Sequence, residues 1–406
     1  MRATAWTSWT SIREAMAHGA DVQGGDSGLH RSLPWLAAEE GRVSRDQYYL
    51  CAGGALASCY PLPHTSAHRT YATWEIVCGS PVEELIKQTA QPRRESAGAE
   101  LAHVRSQLPA PATDTLAVVT PGCVFSGVTL SPETSADSLN TLVDGVEAQA
   151  GELGLPVVQF GNLREDNAAE QALHQVLRAR GYSAVTVGAD AVLDTSAYAD
   201  LEAYFGSFRA HRRKVLRKER SLFEGERATV RVEGPEGLTE DLAALQLDRY
   251  RRYGHQADTR AVQDRFTRAA TIPGLKVLRA DAEETSPSAG SPTSSPLGFI
   301  AFYEDHRTHR ILTRLGAFRA GKAAYFNIAY YELIAHATQV GGMRIHYGDS
   351  TYLAKILRGC SLTRLTSYFR ATDPSLHRAL ARAGRLRTAL EELQLGQAAS
   401  ERGKRC

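Results

Sequence analysis

Residues 323–339, "AAYFNIAYYELIAHATQ", are apolar on nearly every face of a helix. A surface helix carries a single apolar stripe, so this segment has to lie against a sheet and beneath other elements. It stands between two strand-like runs, "RILTRLGAF" (310–318) and "MRIHYGD" (343–349). Strand, helix and strand in that order call for a parallel crossover, whereas antiparallel neighbours need only a tight turn. Two more strands, "LKVLRADA" (275–282) and "LGFIAFYE" (297–304), precede them and complete a meander of three. The Ser/Pro-rich segment at 284–296 has no large apolar residue to anchor it and reads as a flexible hairpin loop.

The first half holds the same mixture in another order. "DQYYLCAGGALASCYPLP" (46–63) reads as two strands around an Ala-Gly-Gly turn. Residues 90–113 are polar and suit a loop with a short helix, and strands follow at "TLAVVTP" and "VFSGVTL". From about Ser135 to Ala150, Leu139, Leu142, Val143 and Val146 recur at helical spacing. "LPVVQFGNL" (155–163) is a strand, and the helix 164–181 closes on Gly181. A long helix covers about 198–223. "LTEDLAALQLDRYRRYG" is another helix, and "TRLTSYFRA" is a last strand before a C-terminal helix at 374–394.

The chain has 406 residues, enough for more than one domain, and a net charge of only +2. No apolar run is long enough to span a membrane, and the first twenty residues show no signal-peptide pattern. Six scattered cysteines show neither zinc spacing nor a disulfide framework. The expectation is a reduced, cytoplasmic protein with no metal and no bound cofactor. Phosphate-loop, nucleophile-elbow, zinc-protease and kinase signatures do not occur.

Against that neutral background, "RAHRRKVLRKER" (209–220) packs seven Lys or Arg into twelve residues. On one continuous helix, Arg209, Arg213, Arg217 and Arg220 align as a stripe, with Lys214 beside it and Glu219 as almost the only acid. Such a row is either a solvated face or a phosphate-reading surface, since guanidinium forks match phosphate oxygens. Tyr253 and His255 follow a helix end. His255 is either a general base for an attacking amine or an exposed loop residue. His346, on a strand, points either to a substrate or to solvent or core.

The meander, the helix entered through "GAFRAGKA" and the strand "GMRIHYGDS" together resemble the acyltransferase core of the GNAT superfamily. The basic helix and "RIHYGDSTYLAKILRGC" (344–360) narrow the likeness to FemAB-like proteins, which are duplicated GNAT folds. The resemblance implies a mixed α/β (α+β) chain with two tandem GNAT-like domains, each a mixed sheet flanked by helices. These are a first domain at 1–195, a basic connecting helix at 196–226, an acyltransferase domain at 227–395 and a disordered tail at 396–406.

The resemblance also implies an activity, amide-forming N-acyl transfer from aminoacyl-tRNA or acyl-CoA to an amine on a small molecule or peptide. Members work in cell-wall and antibiotic biosynthesis. Gly321, Lys322 and Ala323 match the loop that cradles the donor's phosphates. Phe318 stands where that loop has Gln or Arg, which favours aminoacyl-tRNA. Asp349 would orient or deprotonate the acceptor amine and Lys355 would bind a carboxylate or phosphate. Asp349 or Ser350 as a plain helix cap explains the same residues. A non-catalytic peptide- or nucleic-acid-binding protein of this fold is the alternative.

Overall fold

The computed structural model describes residues 6–18, 28–66, 69–108, 113–226, 228–254, 257–282, 295–319, 322–349 and 351–405. His255, Gly321, Ser350 and most of the Ser/Pro-rich segment lie outside the described residues. The chain forms two compact units. One comprises Met1–Asp190 with Leu362–Ser400, and the other Ala191–Ser361 with Glu401–Cys406. In this division the last strand and most of the C-terminal helix belong to the first unit, whereas the sequence reading grouped them with the second.

In the first unit the strands are β1 (Thr7–Trp9), β2 (Tyr48–Ala52), β3 (Ala55–Leu62), β4 (Thr115–Val118), β5 (Val128–Leu130), β6 (Val157–Arg164), β7 (Ser183–Asp194) and β13 (Ser361–Ala371). Residues 191–194 of β7 belong to the second unit. β2 and β3 form the expected hairpin, and its Gly53 and Gly54 have φ of +49° and +83°, as a tight two-residue turn requires. β3 pairs antiparallel with both β4 and β5, β4 pairs parallel with β6, and β6 pairs antiparallel with β13.

Alternation along these strands separates two cores. Val158, Phe160 and Tyr368 pack with Leu139, Leu142, Val143 and Val146 of the helix Ala136–Glu152. Val157, Phe369, Leu380 and Leu390 pack with Val82, Leu101 and Val104. That burial of Tyr368 and Phe369 is why β13 joins this unit. Helices form at Thr73–Cys78 and Ser80–Gln88, and within residues 90–113, read from sequence as a loop with a short helix, the helix runs over Arg93–Ser106. The C-terminal helix Pro374–Arg405 runs through the tail expected to be disordered.

The second unit contains β8 (Ala228–Glu233), β9 (Leu275–Ala282), β10 (Ser295–Asp305), β11 (Arg310–Phe318) and β12 (Arg344–His346). β8, β9, β10 and β11 pair antiparallel in sequence order. β12 then pairs parallel with β11, as the crossover requires, and antiparallel with β7. Helical segments Lys322–Phe326, Asn327–Glu332 and Leu333–Gln339 form the apolar crossover helix, the middle one π-helical.

The crossover helix covers one face of the sheet, and the helices Glu240–Arg252 and Thr259–Ala270 cover the other. Phe299 meets Phe266 edge-on at 5.9 Å. The adjacent Gly298 points the opposite way, where an added Cβ would lie 2.7 Å from Phe318 and 3.0 Å from Ile328. Glycine at that position lets the helix come close.

Candidate active site

The second unit holds the more open arrangement. β11 and β12 are in register only over Arg310↔Arg344, Ile311↔Ile345 and Leu312↔His346. β12 ends there, and β11 continues to Phe318. The Thr313 hydroxyl donates to the His346 carbonyl at 2.9 Å, closing the base of a fork. At the next residue β11 bulges: Thr313 faces Phe302 and Leu315 faces Ala301, which makes Arg314 the extra residue of the bulge. A bulge bends its strand and increases its twist, so β11 turns away where its partner stops. Beyond Leu312 no strand pairs with that edge among the described residues, and the Gly316 carbonyl of this stretch accepts from the Arg249 guanidinium at 2.9 Å.

Aromatic rings span the fork. Phe318 contacts Tyr325 (5.1 Å between centroids), Tyr325 contacts Tyr330 (5.8 Å), and Tyr330 stacks on Tyr347 (4.7 Å, 27°). Burial pushes the phenols of Tyr330 and Tyr347 well above their ordinary range, so neither acts as a base near neutrality. Next to the row, the buried Arg358 guanidinium lies 3.4 Å over Phe326 and 5.1 Å from Tyr330. It donates to Glu219 at 2.7 Å. Glu219 also accepts from the Tyr331 hydroxyl, and its carbonyl accepts from Asn327 at 2.9 Å. Burial works against the Arg358 charge, but Tyr331 and Glu219 hold its pKa above the ordinary value. The Asn327 bond falls at the start of the π-helical segment, a feature that recurs beside functional sites.

Lys355, expected to bind a carboxylate or phosphate, has backbone partners in the fold. It is buried, and its ammonium donates to the carbonyls of Tyr347, Gly348 and Asp349, each at 2.9 Å. With these three bonds Lys355 ties down the turn after β12. The Asp349 side chain is exposed on that turn. Thr351, in a left-handed conformation, stands at the N-cap position of the short helix after it, with no side-chain capping bond. Phe318 ends β11 six residues, about 20 Å, beyond the level of His346. Near that far end a groove of about 520 Å³ is lined by Asp241, Asp248, Arg252, Pro296 and Arg319. Ala323 is half-buried just past Lys322, where the crossover helix begins.

The basic run also differs from expectation. Its helix is broken into Leu201–Gly206, capped by the Asp200 carboxylate (2.7 Å to Ala203 N), and Ala210–Glu224, with Arg209 as N-cap at ψ 151°. Phe208 is buried at the break, against Tyr204 at 5.2 Å. The break resets the register. Arg212 is buried and donates to the Leu357 carbonyl at 2.8 Å, and Arg213 reaches the Gly206 carbonyl at 3.3 Å. Arg217 pairs with Glu202 at 2.6 Å, and Arg220 pairs with Glu332 and Glu224. Arg209, His211, Lys214 and Lys218 stay exposed.

The first unit has a comparable fork, filled by its own chain. β4 stops at Val118 while β6 runs on to Arg164, and residues 119–127 occupy the space between. Val119 lies where a Cβ on Gly161 would be, and Phe125 sits under the Arg164 guanidinium at 5.4 Å. Arg164 pairs with the fully buried Asp190, and Arg31 pairs with the fully buried Glu170. Each buried carboxylate there has its guanidinium. Among the described residues of the chain, no cluster of His, Cys, Asp and Glu is placed to hold a metal ion, and no helix is long and apolar enough to cross a membrane.

No family model and no curated protein matches this sequence. Solved structures are similar to it. FemX is 12% identical, over 66% of this chain and 83% of its own, with a TM-score of 0.48. L-PGS from Bacillus licheniformis is 14% identical, over 68% and 83%, with a TM-score of 0.44. A tandem GNAT protein from the clavulanic acid biosynthesis pathway is 11% identical, over 78% and 98%, with a TM-score of 0.39.

Proposed function

We propose that this chain is an amide-forming N-acyltransferase working at the fork of its second unit. One observation carries the reading: β11 loses its parallel partner and bulges at neighbouring residues, baring backbone groups beside an aromatic wall. An activated acyl group lying along that edge has backbone N–H donors available for the oxyanion that forms when an amine attacks. The aromatic wall excludes water, and with a good nucleophile and an activated ester positioning supplies much of the rate. The carrier would lie toward Arg319 and the helix start at Lys322 and Ala323, and the acceptor toward Asp349.

Aminoacyl-tRNA is the favoured donor. Phe318 occupies the position where an acyl-CoA loop has Gln or Arg, and an exposed basic helix belongs to the same unit. Acyl-CoA is the second reading, supported by Arg252 and Arg319 in the groove at the end of β11.

The test is product release. With an amine acceptor present, the enzyme should free tRNA from an aminoacyl-tRNA or a thiol from an acyl-CoA. Release of neither across a panel of donors and amines leaves a binding protein and defeats the proposal. Asp349→Asn should raise the acceptor KM while donor affinity without acceptor stays constant, and unchanged kinetics would remove Asp349 from the site.

A further inference from the structure

The sequence suggested an arginine stripe for phosphate, but the folded helix points elsewhere. Within Ala210–Glu224, Arg212 is buried, Arg213 bonds a carbonyl, and Arg217 and Arg220 face carboxylates. The helix's inward acid, Glu219, is held by Arg358 and Tyr331. The face left to solvent carries His211, Lys214 and Lys218 at i, i+3 and i+7, with Arg209 at the N-cap, and no acid pairs with either lysine among the described residues.

We propose that Lys214 and Lys218, with His211 and Arg209 beside them, form a docking strip for a polynucleotide phosphate backbone. This rests on the aminoacyl-tRNA reading above. Lysine suits the task, because a mobile ammonium contacts successive phosphates as a point charge without a fixed bidentate geometry. The positions of Lys214 and Lys218 are about 6 Å apart along the helix axis. A lipid surface fits less well, since Leu222 is the only large apolar side chain of this helix that is exposed, and Leu216 and Phe223 are buried.

The experiment measures binding of deacylated tRNA to the full chain across about 50–200 mM salt, for wild type, Lys214→Gln/Lys218→Gln and Arg213→Gln/Arg217→Gln. Each phosphate neutralised contributes about 0.9 to the log–log salt slope. Loss of two contacts should therefore make the lysine variant's affinity fall about tenfold less over that range, with the arginine variant close to wild type. Circular dichroism checks that each variant folds, as these exposed positions should allow.

If wild type binds tRNA and the lysine variant keeps its slope, the strip is wrong while the tRNA reading stands. Equal flattening in both variants also overturns the strip. If wild type binds coenzyme A or phosphatidylglycerol vesicles but not tRNA, the reading and the strip fall together.

Discussion

Lys355 shows how a charge can be spent on architecture. Its three bonds to the 347–349 carbonyls take the place of the water those groups would otherwise bind. Lys355→Met should cost about 3 kcal/mol in chemical denaturation, because buried acceptors lose a charged donor without replacement. A per-folded-molecule acceptor KM that changes more than stability would return Lys355 to the substrate side. Glu304 makes a second prediction at this scale. Burial works to raise its pKa, but the bond from His336 and the charges of His336, Lys276 and His306 together outweigh this and hold it below the usual carboxylate range. A depressed folded-state pKa adds stability that is complete above the unfolded value, about 4.3, and is lost as pH falls through the folded one. Urea midpoints should therefore drop more between pH 5 and pH 3 for wild type than for Glu304→Gln. Parallel losses would mean that Glu304 does not titrate in that window.

The element that decides the site is the pairing of the basic helix with the crossover helix. Glu219 holds Arg358 and Tyr331 through its carboxylate and Asn327 through its carbonyl, where the π-helical segment begins. Removing one member of a buried pair strands the other, a loss of about 3–5 kcal/mol. Arg358→Met should be destabilised to that extent, and Arg358→Lys should recover little, because an ammonium cannot lie flat on Phe326 while it bonds Glu219. Double-mutant cycles with Glu219→Gln measure the coupling, and additivity would dissolve the network. Nothing in "KILRG" separates Arg358 from an ordinary surface arginine. The one legible hint was Asn327, a polar residue inside an apolar helix.

At the scale of the molecule, β9 and β10 are paired up to Ala282↔Ser295, so the hairpin is complete without the Ser/Pro-rich residues between them. Replacing 283–294 with Asn-Gly should change stability by no more than about 1–2 kcal/mol, the closure entropy of the longer loop. Thermal melts check this, and turnover should stay constant. A large fall in turnover with an unchanged melt would make the segment a cover for the adjoining groove.

Much of the local structure was legible in advance. The β2–β3 hairpin, the helix capped at Ser135 and the parallel crossover of β11 and β12 follow from periodicity, turn glycines and caps, whose causes lie within a few residues. Tertiary structure alone decided the rest. β13 left the second unit because its rings find their cores beside Val158 and Leu380. Arg220 was neutralised by Glu332, and Glu219 was turned inward by Arg358. The fork opened where a bulge and a strand end coincide. Each of these outcomes depends on a partner far away in the chain, and the spacing of near neighbours carries no record of it.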